Sequence, residues 1–261
     1  MRELERDHPT PTPPAPAMPE TLAILGGGRA GGSIAAAARH AGMKVSVHGR
    51  DAHIGNARTV LFCVPDAAIR KVCESIAPSL RPGTRAGHVS GATSLNALEA
   101  ASAAGRETFS LHPLQTIPTP KTDLAGAPCA ISASSAEALA FARSFAESLE
   151  MRPFDVPEGG RAAYHAAASM ASNFLVALEE SAADLLDAAG VLNSREVLAP
   201  LVLRTAANWV DAGAAALTGP IARGDSETVG RHLDALSQNA PELRPLYEAL
   251  AERTAELRSG R

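Results

Sequence analysis

Glycines near the N-terminal end of the chain have the spacing that suits a bound phosphate group. The motif G-x-G-x-x-G begins at Gly26, directly after the apolar run 22–25. In this motif the glycines allow a tight turn, close backbone approach to a pyrophosphate, and close packing of helix on strand. Free amides at the start of the following helix would face the phosphates. The motif predicts a dinucleotide site, and its residues are Gly26, Gly28, Arg29, Ala30 and Gly31.

The residues after the second predicted strand indicate which dinucleotide binds. About 20 residues beyond the glycines, a site for NAD would have an acidic side chain on the ribose 2′-hydroxyl. This chain has His48 and Arg50 there, and a guanidinium can form a bidentate pair with the 2′-phosphate of NADP. We therefore predict NADP(H), with His48 or Arg29 assisting Arg50. In the alternative interpretation Arg50 is a solvated loop charge and Asp51 supplies the acid.

A proline and an acid come at the end of the third predicted strand, Thr59–Val64. Ligands of parallel sheets bind at the carboxyl ends of the strands. We therefore expect the backbone of Val64 and Pro65 to border the cofactor. Asp66 is more simply explained as the N-cap of the next helix, where a carboxylate accepts a hydrogen bond from a free amide.

Ser90 and His112 follow the next two predicted strands and reach the same edge of the sheet. Ser90 can hydrogen-bond to a substrate, and His112 can exchange a proton at neutral pH, as reduction of a carbonyl by hydride transfer requires. The structural alternative is that Ser90 caps a turn and His112 satisfies backbone groups in a crowded loop.

A predicted helix further along the chain carries polar residues on one face. His165, Ser169 and Asn173 lie at positions i, i+4 and i+8 among many alanines. Because buried polar groups need partners, this row favours a site lining in which His165 exchanges a proton and Asn173 orients the substrate. The alternative is that His165 is a core histidine with its own hydrogen bonds.

Short apolar runs alternate with amphipathic stretches over residues 21–157, which is typical of a parallel sheet with helices on both faces. The predicted strands are Leu22–Leu25, Lys44–Val47, Thr59–Val64, Arg85–Val89, Thr108–Leu111 and Cys129–Ser132. The helices between them are Gly31–Ala41, Ala67–Ala77 and Ser135–Leu149, the last with a serine N-cap. We predict an α/β fold in which residues 21–157 form an N-terminal Rossmann dinucleotide-binding domain.

The alternation stops after Pro157, and residues 158–261 are predicted to form an all-α C-terminal domain. Its first helix would run over Arg161–Ala189, and Asp225 would cap a later one. Trp209 is expected to pack between these helices. At the other end of the chain, residues 1–20 contain six prolines and are predicted to be a disordered tail.

The composition excludes several classes of function. A formal net charge of −4 gives no basic surface for nucleic acid or an anionic membrane. No run of about 20 apolar residues is present to cross a membrane, and no signal peptide is evident. Cys63, Cys73 and Cys129 lack the spacing of a zinc site or a disulfide framework. We therefore expect a soluble cytoplasmic protein with a small-molecule substrate and no metal.

Taken together, these motifs resemble one protein family. The resemblance is carried by six motifs. They are the glycine loop, Val-Pro-Asp at 64–66, His-Val-Ser-Gly-Ala at 88–92, Leu-His-Pro-Leu-Gln at 111–115, the stretch 164–173 and Leu-Thr-Gly-Pro-Ile-Ala-Arg-Gly-Asp at 217–225. The family comprises Rossmann-like proteins with a helical C-terminal domain of uncharacterised function, which are often labelled NADP oxidoreductases. Its architecture is similar to the 6-phosphogluconate dehydrogenase-like superfamily, and the resemblance implies a homodimer joined through the helical domain.

The chain also departs from the pattern of this superfamily at one position. In hydroxyacid dehydrogenases and ketopantoate reductase of this superfamily, a catalytic lysine lies four residues before an asparagine. Asn173 matches that asparagine, but Ser169 stands where the lysine would be. His112-Pro113 resembles the His-Pro step of prephenate dehydrogenases, without the rest of their motif.

The sequence supports two hypotheses. In the first, the protein is an NADP(H)-dependent oxidoreductase acting on a small carbonyl, hydroxy or imine compound between its domains, with the loop Thr218–Asp225 closing the cleft. In the second, the missing lysine reflects a loss of chemistry, and the protein is a non-catalytic NADP(H)-binding sensor.

Overall fold

The computed structural model describes residues 21–49 and 54–259. The predicted tail at 1–20 and the predicted 2′-phosphate ligand Arg50, with Asp51, lie outside the described residues. The chain divides into two compact units, Met1–Ser169 and Met170–Arg261. The predicted domain boundary after residue 157 stays a prediction.

A single sheet forms the centre of the first unit. Its strands are β1 (Thr21–Leu25), β2 (Lys44–His48), β3 (Thr59–Phe62), β4 (Arg85–His88), β5 (Thr108–Pro113), β6 (Pro128–Ala133) and β7 (Arg152–Asp155). They lie in the order β2-β1-β3-β4-β5-β6-β7. All six predicted strands are confirmed. The seventh escaped prediction because Arg152-Pro153-Phe154-Asp155 is short and has charged ends instead of an apolar run.

The sheet is mainly parallel, as predicted, but it contains one antiparallel pair. Strands β1 to β5 are parallel to one another, but β6 runs antiparallel to β5, and β7 is parallel to β6. A parallel neighbour needs a crossover connection, usually a helix. The segment 114–127 between β5 and β6 contains no helix, so the chain returns in the opposite direction. As a result, the carboxyl ends of β1, β3, β4 and β5 meet the amino end of β6 at one edge.

Helices cover both faces of the sheet. The helices of this unit are α1 (Arg29–His40), α2 (Asp66–Ile76), α3 (Glu99–Ala103), α4 (Ala136–Ser148) and α5 (Arg161–Ala171), of which the last two residues belong to the second unit. On one face, Phe109 packs edge-on against Phe141 with ring centroids 5.4 Å apart. On the other face, Phe62 and Ile69 are fully buried in a second cluster. Burial on both faces explains why β1 and β3 are almost entirely apolar.

The predicted helix ends are partly confirmed. The Ser135 hydroxyl accepts a hydrogen bond from the amide of Ala138 at 3.0 Å, as an N-cap should. The N-cap prediction for Asp66 is wrong, because Pro65 holds that position and Asp66 is the first helical residue. Its carboxylate accepts a hydrogen bond from the Ser90 hydroxyl instead.

The described part of the second unit is helical. Its helices are α6 (Asn173–Ala188), α7 (Ser194–Ala212), α8 (Pro220–Arg223), α9 (Ser226–Asn239) and α10 (Arg244–Ser259). The predicted single helix Arg161–Ala189 is wrong, because Ser172, at φ −127° and ψ −77°, leaves the helical range and separates α5 from α6. The predicted cap at Asp225 is confirmed, since its carboxylate accepts a hydrogen bond from the Thr228 amide at 3.0 Å.

Trp209 corrects another prediction. Its side chain is 66% exposed instead of packed between helices. Several large apolar neighbours on α6 and α7 are equally exposed, namely Phe174, Val176, Leu201, Leu203 and Val210. A monomer seldom exposes so many large apolar side chains on adjoining helices.

Candidate functional site

The glycine loop between β1 and α1 has a geometry that only glycine permits at two positions. Gly26 has φ +104°, and a Cβ there would lie 2.6 Å from the carbonyl oxygen of Cys63. A Cβ on Gly31 would lie 1.9 Å from the carbonyl oxygen of Gly26. Both distances are far below van der Waals contact, so these glycines hold the loop tightly against β3 and α1. The roles predicted for a tight turn and for close packing therefore match the local geometry.

Gly28 has a different environment, as a residue facing a ligand would. Nothing lies within 4 Å of a Cβ built on it. It is the N-cap of α1, no side chain caps that end, and the first turn has no acidic residue. Gly28 and Arg29 are exposed, and Ala30 is half-buried. The first amides of a helix without such a cap are free to bind an anion, so these residues fit a dinucleotide pyrophosphate.

The neighbouring strand ends enclose the loop. The amide of Gly26 donates to the carbonyl of His48 at 2.9 Å, and a Cβ on Gly26 would lie 3.1 Å from the amide nitrogen of Val64. The ring of His48 is hydrogen-bonded to Ser46 through Nε2 at 2.8 Å. Pro65 continues this edge as the N-cap of α2. The structure therefore brings His48 and Val64 to the glycine loop.

A second cluster forms where β5 meets α5. Nδ1 of His112 lies 2.6 Å from the phenol oxygen of Tyr164. The rings of His112 and His165 have centroids 6.1 Å apart. Gly91 lies against both, since a Cβ there would be 2.7 Å from Cδ2 of His165 and 2.8 Å from Cε1 of His112. Of the four residues predicted to be catalytic, the structure brings His112 and His165 together.

Burial favours the uncharged forms of His112 and Tyr164. It lowers the pKa of His112 to about 4, with smaller contributions from His165 and Arg161. It raises the pKa of Tyr164 to about 12. A neutral phenol can donate to Nδ1 of a neutral imidazole, which places the imidazole hydrogen on Nε2. Within the described residues, the Tyr164 hydroxyl is the hydrogen-bond partner found for His112, which leaves Nε2 available to a ligand.

Ser90 is buried, and its hydroxyl contacts both Thr93 in its own turn and Asp66 on α2. Its hydroxyl lies 2.7 Å from Asp66 Oδ2 and 2.8 Å from Thr93 Oγ1, and it accepts from the Thr93 amide at 2.9 Å. These contacts fit the structural alternative, in which Ser90 caps a turn. Its role in orienting a substrate stays a prediction.

Asn173 is the first residue of α6 and belongs to the second compact unit. The loop Thr218–Asp225 belongs to the same unit, where it contains the short helix α8. The roles predicted for Asn173 and for this loop at the site therefore stay predictions.

Three residues of this region escaped prediction. Tyr164 could have been found, because it is adjacent to His165 and is one of only two tyrosines in the chain. The position of Asp66 after a strand and a proline predicts a helix N-cap and gives no indication of its hydrogen bond with Ser90. Arg161 gave no signal, since an arginine at the start of a helix is usually exposed, whereas this one is only 2% exposed.

No group of three or more His, Cys, Asp or Glu side chains is placed to hold a metal ion in the part of the chain that the structure describes. Among the same residues, no helix is long and apolar enough to cross a membrane.

Solved structures share this fold over almost the whole chain. A Bacteroides fragilis protein described as "putative NADP oxidoreductase BF3122" is 24% identical, with a TM-score of 0.77 over 91% of this chain and 98% of that one. Protein TM1727 from Thermotoga maritima is 21% identical, with a TM-score of 0.71 over 92% and 98%. A reductive aminase from Aspergillus terreus is 19% identical, with a TM-score of 0.65 over 93% and 95%. Likeness at these identities establishes a Rossmann fold with a helical C-terminal region.

A family model matches part of the chain. Residues 127–254 match DUF2520, a domain of unknown function. The DUF2520 match begins at β6 and extends into α10, so it includes α5 with Tyr164 and His165. No curated protein matches the sequence significantly.

Proposed function

We propose that this protein is an NADP(H)-dependent oxidoreductase that acts on a small carbonyl, hydroxy or imine compound. The observation that carries the proposal is the hydrogen-bonded His112–Tyr164 pair, which lies at the same edge of the sheet as the glycine loop. Strand register supports this placement, because Leu25 pairs with Phe62, Phe62 with His88, and His88 with Ser110, two residues before His112. A proton-exchanging group at this edge is what hydride transfer needs.

The glycine loop supports the cofactor assignment. The free amides at Gly28 and the first turn of α1 would hold the pyrophosphate, and Val64 would border the cofactor. The reductase from Aspergillus terreus that shares the fold was solved with NADPH and ethyl-5-oxohexanoate. The preference for NADP over NAD rests on the sequence, in which Arg50 replaces the acid that would bind the ribose of NAD.

The chemistry of the chain's own residues follows from their protonation states. When bound, the reduced nicotinamide would supply the hydride to the substrate carbon. As the carbon–oxygen double bond opens, Nε2 of His112 passes its proton to the developing alkoxide. Nδ1 then receives the phenol proton of Tyr164, and solvent returns a proton to the phenolate. The transfer is favourable because an alkoxide is a stronger base than a phenolate. His165, across Gly91 from His112, would line the same space.

Turnover of NADPH tests this function. The purified protein is incubated with NADPH and a panel of keto acids, aldehydes, ketones and imines, and loss of NADPH absorbance is followed. We expect NADPH to bind more tightly than NADH and at least one compound class to be reduced. A protein that binds NADPH but reduces no class would contradict the proposal and favour a non-catalytic NADP(H) sensor.

We also propose that a second copy of the chain covers the exposed apolar residues of α6 and α7. The first six residues of α6, Asn-Phe-Leu-Val-Ala-Leu, include no charged residue, so two copies of this surface would not repel each other. The same patch on both partners is typical of a two-fold homodimer.

A further inference from the structure

Arg161 is a buried charge that the proposed chemistry leaves without a role. Its side chain is 2% exposed, although it is the first residue of α5. Burial of a guanidinium costs several kcal/mol of solvation unless its donors are well paired. Its partners therefore indicate what the fold gains from it.

The guanidinium connects three parts of the sheet edge. Nη1 donates to the hydroxyls of Ser110 at 2.7 Å and Ser132 at 2.8 Å, and Nη2 donates to the carbonyl of Ser90 at 2.6 Å. Ser110 lies on β5 and Ser132 on β6, while Ser90 follows β4. A planar fork suits several fixed acceptors at once, whereas the single ammonium of lysine does not.

Glu158 completes the cluster. Its Oε1 lies 3.6 Å from Nη1 of Arg161 and accepts from the Ser132 hydroxyl at 2.6 Å. Its Oε2 accepts from the Leu95 amide at 3.0 Å. Because Ser132 gives its only hydroxyl proton to Glu158, the Ser110 hydroxyl, 2.9 Å away, donates to Ser132. The buried charge thus has a carboxylate and an ordered hydrogen-bond network around it.

The same strand and the same helix meet again at the candidate site. Ser110 and His112 lie two residues apart on β5, so their side chains are on one face of the strand. Arg161 and Tyr164 lie three residues apart on α5, so they are neighbours on one side of the helix. Strand and helix are therefore joined twice, by Arg161–Ser110 and by Tyr164–His112. The bond to the Ser90 carbonyl also holds the backbone directly before Gly91, which lies against the rings of His112 and His165.

We propose that Arg161 is a positioning residue, whose guanidinium holds α5 on β5 so that Tyr164 and His165 stay in contact with His112. The catalytic meaning of this inference rests on the proposed function, but the positioning itself does not. The two Nη groups of Arg161 are occupied by Ser90, Ser110 and Ser132, and its Nε is buried without a hydrogen-bond partner among the described residues, so the role assigned to Arg161 is structural.

Nuclear magnetic resonance of the His112 ring tests the positioning without any turnover. Imidazole nitrogen shifts report both the tautomer and the titration of a histidine, and the His112→Gln variant assigns the signal. In Arg161→Lys, which keeps the charge, we expect His112 to lose its single tautomer and its pKa to move up toward the ordinary value of about 6.5. Arg143→Lys is the matched control, since Arg143 forms an exposed ion pair with Asp155. The His112 signal of the Arg143→Lys variant should match that of the wild type.

The outcomes separate positioning from simple stability and from the proposed function. A lower melting temperature in Arg161→Lys with an unchanged His112 spectrum would overturn the inference. If Arg161→Lys does not fold, the test uses Ser132→Ala, which removes one acceptor and keeps the guanidinium. The same loss of the single His112 tautomer and the same rise in the His112 pKa are expected. If the wild type shows no turnover, the NMR result still decides the positioning. If turnover exists, Arg161→Lys should lower kcat while the NADPH affinity stays within about twofold.

Discussion

The Tyr164 hydroxyl lies 2.6 Å from Nδ1 of His112, although 52 residues separate the two in the chain. The contact joins the end of a sheet strand to a helix that follows the sheet. Replacement of Tyr164 by Phe removes the proton that fixes the imidazole tautomer. We expect kcat to fall about 100-fold, within the range usual for lost acid–base assistance, while NADPH affinity is unchanged.

The second unit provides a matched control for this prediction. His232 and Tyr247 form an exposed pair of the same kind, with Nδ1 and the phenol oxygen 2.8 Å apart. Tyr247→Phe should leave kcat at the wild-type value. Equal kcat values for Tyr164→Phe and the wild type would show that the phenol takes no part in the reaction.

Residues 21–157 show how far the sequence determines the fold. Short apolar runs were sufficient to locate six strands. Five of these strands are buried along most of their length, whereas β2 is largely exposed. Strand β7 was missed because it is an edge strand with a proline and two charged residues. The reversal of β6 follows from the absence of a helix in residues 114–127. This segment has no hydrophobic periodicity, so the sequence does not predict the direction of β6.

The candidate site was predictable only in part, for a physical reason. Glycine spacing is local, so the loop at Gly26 was evident from the sequence. The contacts of His112 with Tyr164, and of Arg161 with Ser110, join residues about 50 positions apart, and such pairings exist only after the chain folds. The break at Ser172 was equally hidden, since the surrounding alanines have high helix propensity.

The glycine loop gives a second prediction, in which one substitution affects stability and another affects NADPH binding. A methyl group on Gly31 would collide with the backbone at Gly26, so Gly31→Ala should lower the free energy of unfolding by about 3 kcal/mol, as overpacking does. A methyl group on Gly28 has space but faces the expected pyrophosphate. Gly28→Ala should keep the unfolding free energy within about 1 kcal/mol and weaken NADPH binding about 10-fold or more.

Urea unfolding and calorimetric titration with NADPH measure these two quantities. Gly230→Ala is the control for an alanine in open space, since nothing lies within 4 Å of a Cβ there. It should bind NADPH like the wild type. Wild-type NADPH affinity in Gly28→Ala would exclude the glycine loop as the pyrophosphate site.

A third prediction concerns acid stability. Burial lowers the pKa of both His88 and His112 to about 4 in the folded protein, whereas unfolded histidine titrates near 6.5. The unfolded chain therefore binds more protons between these values, and stability that is complete above about pH 6.5 is lost as the pH falls toward 4. At about pH 5 each histidine should lower the free energy of unfolding by about 2 kcal/mol.

Urea unfolding of the wild type and His112→Gln, at about pH 7 and pH 5, isolates the contribution of His112. The variant should lose about 2 kcal/mol less than the wild type between the two pH values. His40, which is exposed, supplies the control, and His40→Gln should lose as much as the wild type. An identical loss in His112→Gln would mean that His112 is not buried and neutral.

The proposed homodimer gives a fourth prediction. Trp209 and Leu203 lie on α7 and are 66% and 71% exposed. We expect the wild type to have the mass of a dimer in light scattering after size exclusion, and the double variant Leu203→Asp/Trp209→Asp to have the mass of a monomer. Leu192→Asp, at an 82% exposed residue outside these helices, should remain dimeric. A monomeric wild type would refute the proposal.

The comparison of NADPH binding and NADPH oxidation in His112→Gln tests the central claim most directly. His232→Gln is the matched control, because its histidine has the same kind of tyrosine partner. We predict that His112→Gln binds NADPH as tightly as the wild type but oxidises it at least about 100-fold more slowly with the best substrate, while His232→Gln matches the wild type in both. Oxidation by His112→Gln at the wild-type rate would contradict the account.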